Sequence, residues 1–312
     1  MSLRWGLSAT ILAPPADILR FAAHHLSAGA HRLYLYLDAP SPEAMPHLQA
    51  HPKIRVTVCD ADHWTRLNGR RPPKHQRRQT LNATHAYGRA TDVDWLIHMD
   101  VDEFLVSDRP IADFLATLPA DTPTLRVRPM EQLSGDGTAF KAFIPSNADR
   151  ERTVRALYPT YGPYVKGGFL SHLAGKVFVR TGKPGITVKI HNAFADEAEL
   201  KGADNLPGLD LAHCHAKTWE DWHAAFRYRH DSGSYRAELG PNKPRDKGGM
   251  SMHELFALIE AEEGEAGLRA FFDEISADTP GLRAKLDANG LLRVVNLDLN
   301  ATLSTHFPDW SA

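Results

Sequence analysis

Two aspartates that follow an apolar run carry the strongest chemical signal in this sequence. Asp100 and Asp102 lie in the segment 95–105 (WLIHMDVDEFL), where a buried-strand pattern leads into a second apolar stretch. In an extended or turning chain, residues i and i+2 point to the same side, so both carboxylates can face one ligand. Hard divalent cations prefer carboxylate oxygens and often share them with a diphosphate. The spacing predicts a Mg²⁺ or Mn²⁺ site here, and an acidic strand end without metal is the alternative.

Two further Asp-x-Asp triplets occur in the chain, and an isolated triplet is weak evidence because it arises readily by chance. Asp92 and Asp94 precede a predicted strand, so they are expected in a loop at the end of the sheet away from the site. Asp60 and Asp62 follow a predicted strand, but no apolar residues continue after them. Context therefore favours the triplet at 100–102 as the metal site.

The first hundred residues alternate between strand and helix patterns, which is typical of βαβ units around a mostly parallel sheet. In such a sheet, ligands bind beyond the carboxyl ends of the strands. Asp38, Asp60 and Asp100 each follow a predicted strand, so we expect acids to gather at that edge. The strands are predicted at 6–13, 31–37, 53–59, 94–99 and 104–106, and the helices at 16–28, 42–49 and 73–89.

The rest of the chain is less regular, and its last third is mostly helical. These patterns predict one α/β domain over 1–230 and a helical C-terminal extension, 231–312, packed on it. The predicted elements are a strand at 124–129, long loops over 131–172, a β-hairpin made of 176–180 and 186–190, and helices at 217–237, 251–261, 264–275 and 279–288.

The composition excludes several classes of protein. The chain has 312 residues, of which 43% are hydrophobic and 24% charged, as in an ordinary globular protein. A formal net charge of −2 creates no overall field toward nucleic acid, and two cysteines are too few for a disulfide framework or a cysteine zinc site. No apolar run of 18 residues and no signal-peptide pattern occur, so we expect a cytoplasmic protein with at most peripheral membrane contact.

The segment 95–105 resembles the signature of family-2-like glycosyltransferases with the GT-A fold, and specifically the bacterial branch whose strand ends in Asp-x-Asp-Glu-Phe. The segments 16–38, 176–193 and 211–229 are similar to further parts of this family, and the resemblance covers roughly residues 7–230. It implies a Rossmann-like nucleotide-diphospho-sugar transferase fold. It also implies transfer of a sugar from a nucleotide-sugar donor to a hydroxyl of a glycan or lipid-linked acceptor.

The resemblance assigns roles to three aspartates. Asp100 and Asp102 would bind Mn²⁺ or Mg²⁺ and the donor diphosphate, and Asp38 would hydrogen-bond the base or ribose. The alternative for Asp38 is an aspartate that forms a turn before a proline. The chain has Pro14 and Pro15 where the family often has an Asn-Glu pair, so the resemblance specifies nucleotide recognition less closely than the metal site.

A third metal ligand late in the domain, often a histidine, is common in GT-A enzymes. By this resemblance the candidates are His191, His213 and His215, and neutral imidazole suits Mn²⁺ better than Mg²⁺. His191 is slightly preferred because it ends a predicted strand. A buried, hydrogen-bonded histidine is the alternative for each.

The strongly basic segment 66–78 precedes the acidic motif in an otherwise neutral chain. Its arginines and lysines could bind a diphosphate or an anionic acceptor, and a solvated helix face is the alternative. Arg78 and Gln79 are the preferred pair for the nucleotide, because their helix leads to the strand before Asp100. The segment lacks the interleaved aromatic residues expected for stacking on nucleic-acid bases.

An inverting transferase needs a general base, usually Asp or Glu, for the acceptor hydroxyl. Glu131 and Asp136 follow the predicted strand 124–129 and are the candidates, while Glu103 is expected to orient its neighbours. The loop 160–172 (TYGPYVKGGFLSH) is expected to shape an acceptor pocket.

The sequence therefore predicts a metal-dependent glycosyltransferase acting in cell-surface polysaccharide or glycolipid synthesis. One alternative is a nucleotidyl or phosphoryl transferase, against which the absence of a G-x-x-x-x-G-K-[ST] loop counts. The other is a non-catalytic carbohydrate- or partner-binding protein that retains the fold.

Overall fold

The computed structural model describes residues 3–231, 233–241 and 244–311. Within them the chain divides into two units that differ from the predicted domains 1–230 and 231–312. Unit 1 is formed by Met1–Arg128, Ala174–Leu211 and Leu297–Ala312, and unit 2 by Pro129–Leu173 and Ala212–Asn296, in each case as far as the residues are described. The chain thus leaves unit 1 after residue 128, returns at 174, leaves again after 211 and returns at 297.

The first part of unit 1 follows the predicted alternation closely. The strands are β1 (Trp5–Ile11), β2 (Arg32–Leu37), β3 (Ile54–Val58), β4 (Trp95–His98), β5 (Glu103–Ser107) and β6 (Thr124–Val127). The helices are α1 (Pro15–Ser27), α2 (Met45–Ala50), α3 (Ala61–Asn68), α4 (His75–Arg89) and α5 (Ile111–Ala116).

The remaining elements are shorter and are distributed over both units. The strands are β7 (Pro129–Gln132), β8 (Ala139–Ala142), β9 (Lys176–Arg180), β10 (Ile186–Val188), β11 (Ala193–Ala195), β12 (Ala198–Glu199), β13 (Ala203–Asp204), β14 (Leu209–His213) and β15 (Leu292–Val294). The helices are α6 (Arg150–Leu157), α7 (Trp219–Asp231), α8 (Met252–Ser276), α9 (Pro280–Ala288) and α10 (Leu299–His306).

Among the described residues, unit 1 contains a seven-stranded sheet in the order β13-β6-β9-β4-β1-β2-β3. Strand β1 is parallel to β2 and β4, and β2 is parallel to β3. Strand β9 runs antiparallel to β4 and β6. The predicted α/β class is confirmed, and the sheet is mixed, with its parallel part formed by the βαβ units of the first hundred residues.

The predicted hairpin of 176–180 and 186–190 is wrong. Strand β9 lies inside the seven-stranded sheet, whereas β10 pairs with β11 in a separate three-stranded sheet. Three consecutive apolar residues of β9 (Val177, Phe178 and Val179) are buried. A strand whose two faces are both buried belongs inside a sheet covered on both sides, so burial overrides the local turn signal.

Unit 2 combines a small antiparallel sheet with a helical core. Strand β8 pairs with β7 and with β15. Aliphatic and aromatic residues form the core, in which Trp222, Phe256 and Phe271 are fully buried and in mutual ring contact. The loops predicted over 131–172 are wrong where β7, β8 and α6 occur. Strands β7 and β8 have only four residues each, which is too few to show a clear period-two pattern.

The predicted helices of the last third are observed with shifted ends. The helix predicted at 217–237 is α7, and Ser232 lies outside the described residues. Helices predicted at 251–261 and 264–275 form the single α8, interrupted by non-helical Gly264 (φ 62°, ψ −145°). Among the described residues, no helix is both long and apolar enough to cross a membrane.

Gly175 lies directly before β9 and lets this strand enter the sheet. Its φ of +66° is in the left-handed region, and a Cβ would lie 2.0 Å from the carbonyl oxygen of Val127. A side chain here would therefore meet both an unfavourable conformation and a backbone collision.

We predict that Gly175→Ala lowers the free energy of unfolding by about 3 kcal/mol or more, because strain and overlap act together. Gly182→Ala is the matched control, since Gly182 also has a positive φ (+85°) but no atom within 4 Å of its added Cβ. This control should lose only about 1 kcal/mol. Urea unfolding of both variants measures the difference, and equal losses would contradict the packing argument.

Candidate functional site at the sheet edge

Asp38 follows β2 directly and is a buried carboxylate held by two arginines. Arg71 donates to its Oδ1 (2.9 Å), and Arg78 donates to its Oδ2 through Nε (2.9 Å). Arg78 also donates to the carbonyl oxygens of Pro72 and Pro73, which fixes the turn before α4. Arg78 and Asp38, which were both predicted from the sequence to bind the nucleotide, thus form an ion pair with each other.

Asp100 follows β4 and is also fixed by its neighbours. The side-chain amide of Gln79, on α4, donates to Oδ1, and the Lys176 ammonium, on β9, donates to Oδ2 (2.6 Å). Glu103 accepts the backbone N–H of Asp100 (2.8 Å) and lies 3.3 Å from the same ammonium. Glu103 therefore orients its neighbours as expected, and Gln79 contacts the acidic motif.

Lys176 is fully buried, and its role was not predicted from the sequence. Burial lowers the pKa of its ammonium, but the charges of Asp100 and Glu103 more than offset burial, and the pKa lies above its ordinary value. The lysine is therefore a permanent cation at neutral pH. The sequence signal for this role is the lysine that begins the otherwise apolar run KVFV, directly after a glycine.

His98, at the end of β4, remains neutral near pH 7. Burial lowers its pKa most, the Lys176 charge adds to the effect, and the pKa falls to about 4. Its Nδ1 is 3.5 Å from the Ser8 hydroxyl on the neighbouring β1. The histidine thus adds no charge to the acidic cluster.

Strand order brings Asp38 and Asp100 to the same edge of the sheet. Their strands β2 and β4 flank β1 and run parallel to it, so their carboxyl ends point the same way. Asp100, Asp102 and Glu103 carry three carboxylates against the Lys176 ammonium, a formal net charge of −2. This negative charge suits a divalent cation, and Asp102 is accessible to one because its side chain is only half-buried.

Three of the four aspartates in the other two Asp-x-Asp triplets make structural contacts. Asp94 accepts the backbone N–H of Arg4 (2.7 Å), and Asp92 pairs with Arg32. Asp60 accepts the backbone N–H of His63 (2.8 Å) and so caps the start of α3. These contacts agree with the sequence argument that favoured the triplet at 100–102 over the other two as the metal site.

The candidate histidines belong to different units. His191 lies in unit 1, and its Nδ1 is hydrogen-bonded to the carbonyl oxygen of Gly175 (2.9 Å), the residue before Lys176. A backbone contact on one ring nitrogen fixes the orientation of a histidine and is frequent among metal ligands. In unit 2, His213 has ring contacts with His172 and His215, at centroid distances of 5.0 and 5.2 Å.

Glu131, a candidate base, is fully buried on β7 in unit 2. Its two oxygens accept the backbone N–H groups of Leu170 (2.9 Å) and Ser171 (2.7 Å), and the Lys141 ammonium lies 3.0 Å away. Burial raises its pKa, but the Lys141 charge and these donors outweigh burial and hold it at about 2. This environment is that of a structural carboxylate with low proton affinity.

Asp136, the other candidate base, is an exposed side chain in unit 2. Its Oδ1 accepts the hydroxyl (2.6 Å) and the backbone N–H (2.8 Å) of Thr138, which lower its pKa. Arg283 adds a longer contact of 3.4 Å to Oδ2. Its role as a base stays a prediction.

No family model and no curated protein matches this sequence. Among solved structures, HddC from Yersinia pseudotuberculosis is similar over 72% of this chain and 99% of its own, with a TM-score of 0.34 and 10% identity. A mycobacterial protein is similar over 57% of this chain and 53% of its own, with a TM-score of 0.29 and 12% identity. This chain thus spans about half of the mycobacterial chain. Values this low do not assign the chain to a family.

We predict that Lys176→Met lowers the free energy of unfolding by about 3–5 kcal/mol, because it leaves the buried Glu103 and the partly exposed Asp100 without their cation. The double variant Glu103→Gln/Lys176→Met should recover part of the loss, since one of those acids is then neutral. Urea unfolding at pH 7 measures both. Lys183→Met, at an exposed position of unit 1, is the control, and a loss equal to that of Lys176→Met would contradict the assignment.

A second prediction concerns the acid stability that Glu131 confers. Its pKa is depressed from 4.5 to about 2, so its ionised form stabilises the fold above pH 4.5, and that contribution is lost as the pH falls toward 2. A depression of this size corresponds to about 3 kcal/mol. Glu131→Gln should therefore be less stable than the wild type at pH 7, and the difference should shrink below pH 4.5 in urea titrations. Exposed Glu151→Gln is the control, and a pH-independent difference for Glu131→Gln would refute the prediction.

Proposed function

We propose that this chain is a metal-dependent glycosyltransferase of the GT-A type, which transfers a sugar from a nucleotide-sugar to an acceptor hydroxyl in polysaccharide or glycolipid synthesis. The observation that carries the proposal is that Asp38 and Asp100 follow strands β2 and β4, which flank β1 and end at the same sheet edge. In open α/β sheets, ligands bind beyond the carboxyl ends of the strands. The resemblance of the segment 95–105 to the glycosyltransferase signature supports the same assignment.

The donor set fits a divalent cation. A carboxylate oxygen has more than one acceptor position, so Asp100 can take a further ligand beside Gln79 and Lys176. Asp102, two residues on, would supply the second carboxylate, and the histidine ligand stays a prediction from the sequence. Mn²⁺ or Mg²⁺ held there would stabilise the charge that develops on a departing diphosphate.

The protein residues hold and orient the donor site. Lys176 and Gln79 fix the Asp100 carboxylate, which lowers the entropic cost of using it as a ligand. The Asp38 side chain is fully buried while both arginines hold it, so it can accept a hydrogen bond from a ribose hydroxyl or a base N–H only when Arg71 releases Oδ1. The Arg71 side chain is half-exposed, so it can exchange its bond to Asp38 for one to a nucleotide oxygen.

The general base is not assigned to Glu131 in this proposal. A carboxylate with a pKa of about 2 and backbone donors on both oxygens is a poor proton acceptor near neutral pH. Asp136 remains the candidate from the sequence.

Nucleotide binding tests the proposal directly. Calorimetric titration of UDP, GDP and dTDP, each with and without Mn²⁺, should show one nucleotide binding in a Mn²⁺-dependent manner. Asp102→Asn should weaken that binding by about tenfold or more, roughly 1.4 kcal/mol. The proposal fails if no nucleotide binds to the folded protein.

Asp62→Asn is the matched control for this titration. Asp62 is an exposed aspartate in the first turn of α3 and belongs to another Asp-x-Asp triplet. The substitution removes the same charge from the same unit, so its nucleotide affinity should equal that of the wild type. An equal loss in both variants would mean that the effect is not specific to the triplet at 100–102.

A further inference from the structure

A cavity of about 260 Å³ lies in unit 2 between α6 and the segment 162–167. That segment is the central part of the loop 160–172, which the sequence analysis expected to shape a pocket and which the proposed donor site does not use. Its lining combines apolar residues with a group of polar and cationic side chains, namely Ser146, Asn147, Arg150, Arg155 and Lys166.

Glycine allows this segment to pack closely on α6. A Cβ on Gly162 would lie 2.3 Å from the carbonyl oxygen of Tyr158 and 2.8 Å from that of Val154. Gly167 has a φ of +62°, and its Cβ would overlap the side chain of Leu173. The YGPYVKGG sequence therefore sets the shape of the cavity wall.

The charge of the cavity is strongly positive for a neutral protein. Arg150, Arg155 and Lys166 line it against the single carboxylate of Glu151, a formal net charge of +2. Arg150 is held in place, because its Nε donates to the Ile144 carbonyl oxygen (2.9 Å). A guanidinium fixed in this way loses less entropy when it binds an anion.

We propose that this cavity binds the phosphate group of a phosphomonoester. A phosphomonoester carries a charge of about −1.5 to −2 at pH 7 and three acceptor oxygens, which matches the net charge and the donors of the wall. The side chains of Ser146 and Asn147 add neutral donors. The volume is at the small end for ligand sites, so it suits the phosphate with a small organic group. The inference does not depend on the proposed donor site, whose residues belong to unit 1.

Phosphorus NMR titration of the full chain with glucose 6-phosphate, in the presence of EDTA, tests the inference. Glucose, added in excess as an uncharged competitor, should not displace the bound glucose 6-phosphate. We expect saturable binding by the wild type, weakened by about tenfold in Arg155→Gln and again in Arg155→Gln/Lys166→Gln, since each loses charge-assisted hydrogen bonds. Both side chains are exposed, and circular dichroism verifies that the variants remain folded.

Arg152→Gln is the matched control. Arg152 is an exposed arginine of the same helix that pairs with Asp149 (2.8 Å) and does not line the cavity. Its substitution should leave the affinity unchanged. Asp102→Asn should also leave it unchanged, which separates this cavity from the proposed donor site.

A parallel titration with phosphatidate vesicles, against phosphatidylcholine vesicles, distinguishes a lipid headgroup from a soluble phosphate. Vesicle binding that requires Arg155 and Lys166 would support the same phosphate site with a lipid as its source. The inference is overturned if neither probe binds, if Arg152→Gln weakens binding as much as Arg155→Gln, or if Asp102→Asn abolishes it.

Discussion

The buried ammonium of Lys176 is the interaction on which the acidic edge of unit 1 depends. It lies within 3.3 Å of both Asp100 and Glu103, which are close together in sequence and would otherwise repel each other. An uncompensated charge in a protein interior is very costly, and Glu103 is fully buried, whereas Asp100 is partly exposed. Lys176 therefore compensates the charge of these acids and holds them in a fixed position, and two negative charges of the local set, which includes Asp102, remain to attract a cation.

The same principle organises the second acid of that edge. Asp38 is buried with two guanidinium groups on its two oxygens, one of which, from Arg78, also fixes the turn before α4. Gln79, the next residue, contacts Asp100. One helix start thus connects the ends of two parallel strands, and this common support is what makes the two carboxylates parts of a single candidate site.

Unit 2 has its own buried ion pair, which indicates a structural role for Glu131, a residue predicted to be a catalytic base. Glu131 and Lys141 neutralise each other inside the small sheet, and the Lys141 ammonium also donates to the carbonyl oxygens of Gly168 and Ile275. A carboxylate used to join a sheet, a loop and a helix stabilises the fold. Glu131 was a candidate catalytic base because it is acidic and follows a predicted strand. Its two backbone N–H donors and the Lys141 ammonium favour a structural role instead.

The sequence by itself determined the βαβ order of unit 1 and the acids at its strand ends, because apolar periodicity and strand-terminal residues are local properties. It could not reveal Lys176 as their partner, since 76 positions separate that lysine from Asp100 and only the antiparallel insertion of β9 beside β4 brings them together. The failed hairpin has the same cause. Pairing between distant segments is decided by which surfaces can be buried together, and that is a property of the tertiary structure.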